Sequence, residues 1–392
     1  MKYKHTIPKK ILSLAMVSLG FTTLVSAQQP KNAKEIQFEK TQIASESYES
    51  VGVFDVNNDG QHDIVSGAFW YQGPEFVKRG YIGEVEPHME YWDDFLTIPL
   101  DVNGDGRTDY VTGGWFSENI RWRENPGDDS EWTVHTIDQT GNVETARGWD
   151  VDNDGHIEIV PNNPNDPLKI YQLDRDSNGK PLGTFSKIPI ADAQDHGLGF
   201  GDVNGDGRGD FIVSTGWLEA PSDMMKGKWV LHEEFELGGA SVPILVVDVN
   251  GDAKNDLIVG QGHDYGLHWY EQTTDESGKR TWMKHAIDTE NSQYHTMDWV
   301  DLDGDGQPEL VTGKRYRAHN GGDPGGNEPA GLYYFQWDGK GFVKHTISFG
   351  PLGKGKGTGI YFSVADLRGT GRQDIIVAGK DGLYVFYNQG DQ

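Results

Sequence analysis

The sequence predicts an all-β chain folded as a seven-bladed β-propeller, with the last blade closed by the N-terminal strand. Three features carry that prediction: an acidic turn that recurs seven times, an aromatic strand late in each repeat, and one copy of that strand displaced to the front of the chain. The turn reads Asp55-Val-Asn-Asn-Asp-Gly60, Asp101-Val-Asn-Gly-Asp-Gly106, Asp150-Val-Asp-Asn-Asp-Gly155 and Asp202-Val-Asn-Gly-Asp-Gly207. It returns as Asp248-Val-Asn-Gly-Asp-Ala253, Asp301-Leu-Asp-Gly-Asp-Gly306 and Asp366-Leu-Arg-Gly-Thr-Gly371. Successive copies lie 46 to 65 residues apart, a period suited to propeller blades. An acid follows at the ninth position of each, then a β-branched run such as Ile64-Val65 or Ile375-Ile376-Val377, which reads as a buried strand.

Phe76, Trp132, Phe185, Trp229, Trp282 and Phe342 each begin an aromatic strand after an acidic turn, whereas the seventh turn has none. The missing copy is Phe38-Glu-Lys-Thr-Gln-Ile43 at the other end of the chain. Closing a ring explains the displacement, because the N-terminal strand then completes the last blade and no sheet edge is left open. An open solenoid would need capping repeats instead.

The 392 residues carry 34 Lys plus Arg against 61 Asp plus Glu, and no Cys. The absence of Cys excludes disulfides and thiolate-ligated metals. A net charge of −27 argues against a nucleic-acid partner. Lys2, Lys4, Lys9 and Lys10 precede an apolar run from Ile11 to Val25 that ends at Val25-Ser26-Ala27, the pattern of a secretory signal peptide cleaved after Ala27. The run is too short and too interrupted for a membrane span. The expectation is a signal peptide at 1–27 and one propeller domain at 28–392, exported to the periplasm, the cell surface or the medium. Oligomeric state is not legible in the sequence.

Oxygen side chains at positions 1, 3 and 5, glycine at 6 and an acid at 9 converge on one hard cation. Six loops keep that spacing and are expected to bind structural calcium. Their ligands are Asp55, Asn57, Asp59 and Asp63; Asp101, Asn103, Asp105 and Asp109; and Asp150, Asp152, Asp154 and Glu158. The other three sets are Asp202, Asn204, Asp206 and Asp210; Asp248, Asn250, Asp252 and Asp256; and Asp301, Asp303, Asp305 and Glu309. The seventh loop has Arg368 and Thr370 at positions 3 and 5, so a guanidinium is expected to stand in for the cation beside Asp366 and Asp374. Side-chain-capped turns without metal are the alternative.

With this motif the chain resembles the FG-GAP/VCBS repeat family over residues 34 to 388. The resemblance implies a seven-bladed propeller with calcium in such loops, each loop joining the innermost strand to the second on the bottom face.

The top face is then built just before each inner strand and just after each second strand. Six residues before the acidic turns stand Glu49, Phe95, Glu144, His196, Val242, His295 and Ile360, and strand period two sends this register to one side. The segments beyond the second strands add Trp70, Trp115, Trp217, His263 and Tyr265, then Arg315, Tyr316 and Arg317, then His319 in a long insertion, and finally Lys380. Aromatic faces with polar groups suit a sugar ring, and basic groups would polarise a carbonyl. His135, His232, His285 and His345 recur in the aromatic outer strand and read as framework.

His196-Gly-Leu-Gly-Phe, Gly262-His-Asp-Tyr-Gly and Tyr294-His-Thr also resemble the propeller part of aldos-2-ulose dehydratases. That likeness implies a carbon–oxygen lyase acting by β-elimination on a keto-sugar or a uronic-acid-containing glycan. The expected catalytic residues are His196, His295, His263 and Arg315. Substrate contacts are expected from Trp70, Trp115, Trp217, Tyr265, Tyr316, Arg317, His319 and Lys380. A second metal, zinc or another divalent ion, is expected at Glu49, Glu144, His196 and His295. The competing reading is a non-catalytic, calcium-stabilised glycan-binding or adhesion propeller.

Overall fold

A computed structural model describes residues 35–391; the expected signal peptide lies outside the described residues. Seven four-stranded antiparallel sheets make up the fold among them. Blade 1 comprises Gly52–Phe54, Asp63–Ser66, Phe69–Tyr71 and Arg79–Tyr81. Blade 2 comprises Ile98–Leu100, Asp109–Gly114, Asn119–Glu124 and Thr133–Asp138. Blade 3 has Thr145–Trp149, Glu158–Asn162, Leu168–Arg175 and Pro181–Ala191, and blade 4 has Gly199–Gly201, Asp210–Val213, Gly216–Glu219 and Val230–His232. Blade 5 has Leu245–Val247, Asp256–Gly260, Tyr265–Thr274 and Arg280–Ser292. Blade 6 has Tyr294–Val300, Glu309–Lys314, Ala330–Trp337 and Phe342–Gly350.

Blade 7 closes the ring. Its own strands Ser363–Ala365, Asp374–Val377 and Leu383–Asp391 are completed by Ile36–Ala44, which pairs antiparallel with the last strand in the register Phe38 to Asn388 and Glu39 to Tyr387. Val51 N–H donates to the Tyr361 carbonyl at 3.1 Å and Ser363 Oγ donates to the Val51 carbonyl at 2.9 Å, so blades 7 and 1 are joined. One core cluster spans this seam, holding Val51, Ile64, Ile376 and Phe386 together.

The framework histidines repeat one arrangement. His135 stacks on Trp122, His232 on Trp217, His285 on Trp269 and His345 on Tyr334, with ring centroids 4.3 to 4.5 Å apart. The first three also hydrogen-bond Glu124, Glu219 and Glu271 through Nε2. Three sequence expectations are corrected here. Phe76 begins no strand; it sits at φ +55° with its ring in the core, and the outer strand starts at Arg79. Trp70 and Trp217 are not at the rim, because the turns before them are so short that both already lie in third strands. There Trp217 is buried between His232 and Arg280, and Trp70 packs against the core of blade 1.

The acidic turns divide into two kinds. In every turn the ninth-position acid is buried and accepts the backbone N–H of the second residue: Val56 to Asp63, Val102 to Asp109 and Val203 to Asp210 are examples. The aspartates also take an N–H from the far end of the third strand, as Asp210 does from Ala220 just past it and Asp256 from Gln272 within it. These carboxylates are therefore clamps, with both oxygens engaged. The two turns with glutamate at position 9 and aspartate at position 3 differ. Asp150, Asp152 and Glu158, and likewise Asp301, Asp303 and Glu309, each bring carboxylate oxygens within 4.8 Å of one another. Four of the other turns have an amide at position 3, from Asn57, Asn103, Asn204 or Asn250, in place of that third carboxylate. Burial together with the neighbouring aspartates pushes Glu158 and Glu309 up to about 7, and Asp152 Oδ1 is buried without a partner. In the seventh turn Arg368 Nη2 reaches Asp374 Oδ1 at 3.0 Å, while Asp366 accepts backbone N–H groups instead of the guanidinium.

Candidate functional site

Seven blades deliver their top-face residues to the axis. Glu144 and His196 precede the inner strands of blades 3 and 4, and His295 lies in that of blade 6. His263 sits in the turn after the second strand of blade 5, and Arg315 directly follows the second strand of blade 6. The four donor atoms of Glu144, His196, His263 and His295 lie within 4.8 Å of one another. His196 Nε2 stands 3.0 Å from His263 Nε2, and His295 Nε2 stands 2.9 Å from Glu144 Oε1, with 3.7 Å between His196 Nε2 and that same oxygen. The three imidazole rings meet edge to face, at interplanar angles of 78° to 88°.

The second ring nitrogens settle the tautomers. His196 Nδ1 is 2.7 Å from the Ala240 carbonyl and His263 Nδ1 is 2.9 Å from Asp323 Oδ2, both pure acceptors, so each Nδ1 carries the proton. With those protons placed, the two Nε2 atoms face each other across 3.0 Å, a contact that a proton or a cation between them makes favourable. Burial pushes His263 down to about 4, and burial with the Arg315 charge pushes His295 well below the usual imidazole range. Burial alone would raise Glu144, but hydrogen bonds from His196 and His295 and the charge of Arg315 hold it well below the usual carboxylate range. Neutral imidazoles and an ionised carboxylate are the protonation states that ligate metal. Tetrahedral bonds of about 2.0–2.1 Å give donor–donor edges of about 3.3 Å, which the observed spacings bracket. His295 Nδ1 is buried without a partner.

Arg315 Nη1 donates to Glu144 Oε1 at 2.8 Å and Nε donates to Glu49 Oε1 at 3.2 Å. Glu49 thus stands behind Arg315 rather than among the histidines, and His263 takes the place expected for it. Burial would lower Arg315, but the two carboxylates outweigh it and keep the guanidinium charged. Burial lowers Lys380 to about 8; its Nζ lies 3.7 Å over the Tyr91 ring and 4.0 Å from Glu49, and donates to the Arg317 carbonyl.

A pocket of about 220 Å³ opens above Glu144 and Arg315, walled by Tyr91, Phe95, Trp115 and Phe116. Two insertions roof it. One is the hairpin Pro87–His88 with Tyr91–Trp92, which the sequence reading missed; the other holds the short 3₁₀ turn Ala318–Gly321. Arg317 joins them through a paired contact with both oxygens of Glu90, at 2.9 and 2.5 Å. His319 stacks on His263 with centroids 4.4 Å apart, and its Nδ1 lies 2.8 Å from Asp323 Oδ1, so Asp323 bridges two histidines. Tyr265 is exposed and donates to Glu328 at 2.7 Å, and Tyr316 is half-buried. Of the expected substrate contacts, Trp115 and His319 line the pocket, whereas Trp70 and Trp217 do not.

An FG-GAP-like repeat model matches residues 101–161, 150–213 and 248–312. No curated protein matches the chain. Among solved structures, the rhamnogalacturonan lyase YesW is 13% identical over 90% of this chain and 74% of its own, with a TM-score of 0.46. An Agrocybe aegerita lectin that recognises non-reducing terminal N-acetylglucosamine is 16% identical over 87% of this chain and 85% of its own, with a TM-score of 0.48.

Proposed function

We propose that this chain, a seven-bladed β-propeller carrying FG-GAP-like repeats, is an exported, metal-dependent carbon–oxygen lyase acting on a neutral keto-sugar. The observation that carries the reading is the convergence of four donor atoms, from His196, His263, His295 and Glu144, within 4.8 Å of one another. A divalent cation between these donors would satisfy all of them at once, including the two Nε2 atoms of His196 and His263 that face each other at 3.0 Å. His196, His263, His295 and Glu144 would hold a divalent ion such as zinc, whose Lewis acidity would polarise a sugar carbonyl.

Committing three histidines to the centre removes them as free bases, which revises the expectation that His196 or His295 abstracts the proton. His319 is placed for that work: its Nδ1 is held by Asp323, its side chain is 60% exposed, and it lines the pocket. Its Nε2 takes the proton α to the carbonyl, the electron pair forms a carbon–carbon double bond, and the β carbon–oxygen bond breaks. The imidazolium then returns the proton to the leaving oxygen.

Neutral substrate is favoured over a uronic acid because the local cations are already engaged. Arg315 is paired with Glu49 and Glu144, and Arg317 with Glu90. Pocket volume favours one sugar ring, since about 220 Å³ falls below the ~300–1,000 Å³ of sites for drug-sized ligands. Calcium belongs to the same reading, held by Asp150, Asp152 and Glu158 and by Asp301, Asp303 and Glu309.

The test pairs metal analysis with ultraviolet detection of an unsaturated sugar. His263→Ala should lose both the metal and turnover, while His319→Ala should keep the metal and lose turnover. Stoichiometric metal with no absorbance change from any neutral keto-sugar would overturn the lyase reading and leave glycan binding through Tyr91, Trp115 and Phe116 as the function.

A further inference from the structure

Beneath the histidine cluster lies a second cavity, of about 350 Å³, walled by inner-strand residues of blades 3 to 6 and by Tyr361 and Phe362 just before the inner strand of blade 7, and therefore on the propeller axis. Arg147 follows Glu144 by three residues, and Thr296 follows His295 directly, so this space begins where the cluster ends.

Arg147 forms the boundary. Its Nη1 donates to the Ala146 carbonyl at 2.8 Å and to Thr145 Oγ1 at 3.3 Å. Its Nη2 donates to Thr296 Oγ1 at 2.9 Å and to the Val242 carbonyl, and the guanidinium lies 4.5 Å over the Tyr361 ring. All four terminal hydrogens are thus spent on neutral acceptors, and no fork remains for a carboxylate or a phosphate.

Asp298 lines the same cavity. It accepts one hydrogen bond, from the Trp299 N–H at 2.8 Å, and among the described residues neither it nor Arg147 forms an ion pair. Burial raises the Asp298 carboxyl, and the Arg147 charge opposes that rise. One cation and one carboxyl on a shared cavity leave no net charge for an ionic ligand to neutralise. Trp149, Phe200 and Trp299 line the space and are only partly buried, although each belongs to an innermost strand.

Flat apolar walls with a single strong acceptor and no free fork define the ligand chemistry. We infer that this axial cavity binds one neutral pyranose, its C–H faces against Trp149, Phe200 and Trp299 and its hydroxyls donating to Asp298. The site is separate from the upper pocket and does not depend on metal or on the proposed reaction.

Calorimetric titration of the metal-stripped full chain with glucose, galactose and xylose tests it, with glycerol as the ringless control. At least one pyranose should bind saturably. Asp298→Asn should weaken it by about tenfold or more, the loss of one hydrogen bond to a charged group, and Trp149→Phe should weaken it independently, should the first variant fail to fold. His196→Ala should leave it unchanged. No saturable binding by any of the three sugars, or binding removed by His196→Ala and untouched by Asp298→Asn, would overturn the inference. So would a sugar-soaked crystal with water alone in the cavity.

Discussion

A histidine becomes informative through the atom on its far side. Eight of the histidines discussed above are chemically identical in the sequence, yet His135, His232, His285 and His345 lie flat on aromatic rings, while His196 and His263 have their Nδ1 protons taken by acceptors. The shared register of Glu144, His196 and His295 was legible because strand period two preserves direction. His263 was legible only as a rim residue, since its reach into the centre depends on a turn. Asp323 carried no signal at all: it lies 60 residues from His263 and meets it only through the fold. It makes a sharp residue-scale prediction. Asp323→Asn should lower metal affinity by about 10–100-fold, as losses of ligand-orienting partners do, with the circular dichroism unchanged. Competition against a chromophoric chelator measures it; undiminished affinity would mean that the His263 tautomer does not need Asp323.

At the scale of the strand and its turn, the ninth-position acid does more than the calcium spacing suggests. Asp210 accepts the N–H of Val203 at 3.0 Å and of Ala220 at 2.9 Å, tying the acidic turn to the far end of the third strand. Asp210→Ala would leave both donors buried without an acceptor, at about 1–3 kcal/mol each. The expected loss is about 2–4 kcal/mol in urea unfolding, with or without calcium; a loss seen only with calcium would make the residue a ligand and not a clamp. Spacing alone treats the six loops as equal, whereas two of them, with Asp152 and Asp303 at position 3 and Glu158 and Glu309 at position 9, gather three carboxylates within 4.8 Å of one another. The misplacement of Trp70 and Trp217 has a similar origin. A two-residue turn and a five-residue loop look alike in sequence until the strand pairing, such as Val213 opposite Gly216, sets the boundary.

For the whole molecule, ring closure turns scattered residues into one site and scattered charges into one pH response. In calcium-free solution Glu158 and Glu309, at about 7, hold protons in the folded state that an unfolded chain, with carboxyls near about 4.3, would release. The stability this gives is fully present below about pH 4 and is lost as pH rises through about 7. A cation replaces those protons, so calcium should raise the melting temperature little near pH 5 and most above pH 7. Scanning calorimetry with calcium and with chelator measures the difference; equal shifts at both pH values would exclude these glutamates as ligands.

The sequence by itself determined the blade count, the closure by Phe38–Ile43 and the register that sends Glu144, His196 and His295 to one face. Those follow from local periodicity and from the need to leave no open sheet edge. Only the tertiary structure decided that His263 replaces Glu49 beside them, that Arg315 is already paired, and that Trp217 belongs to the packing. Each of these depends on distances across the ring axis between side chains of different blades, and no spacing within a single repeat encodes them.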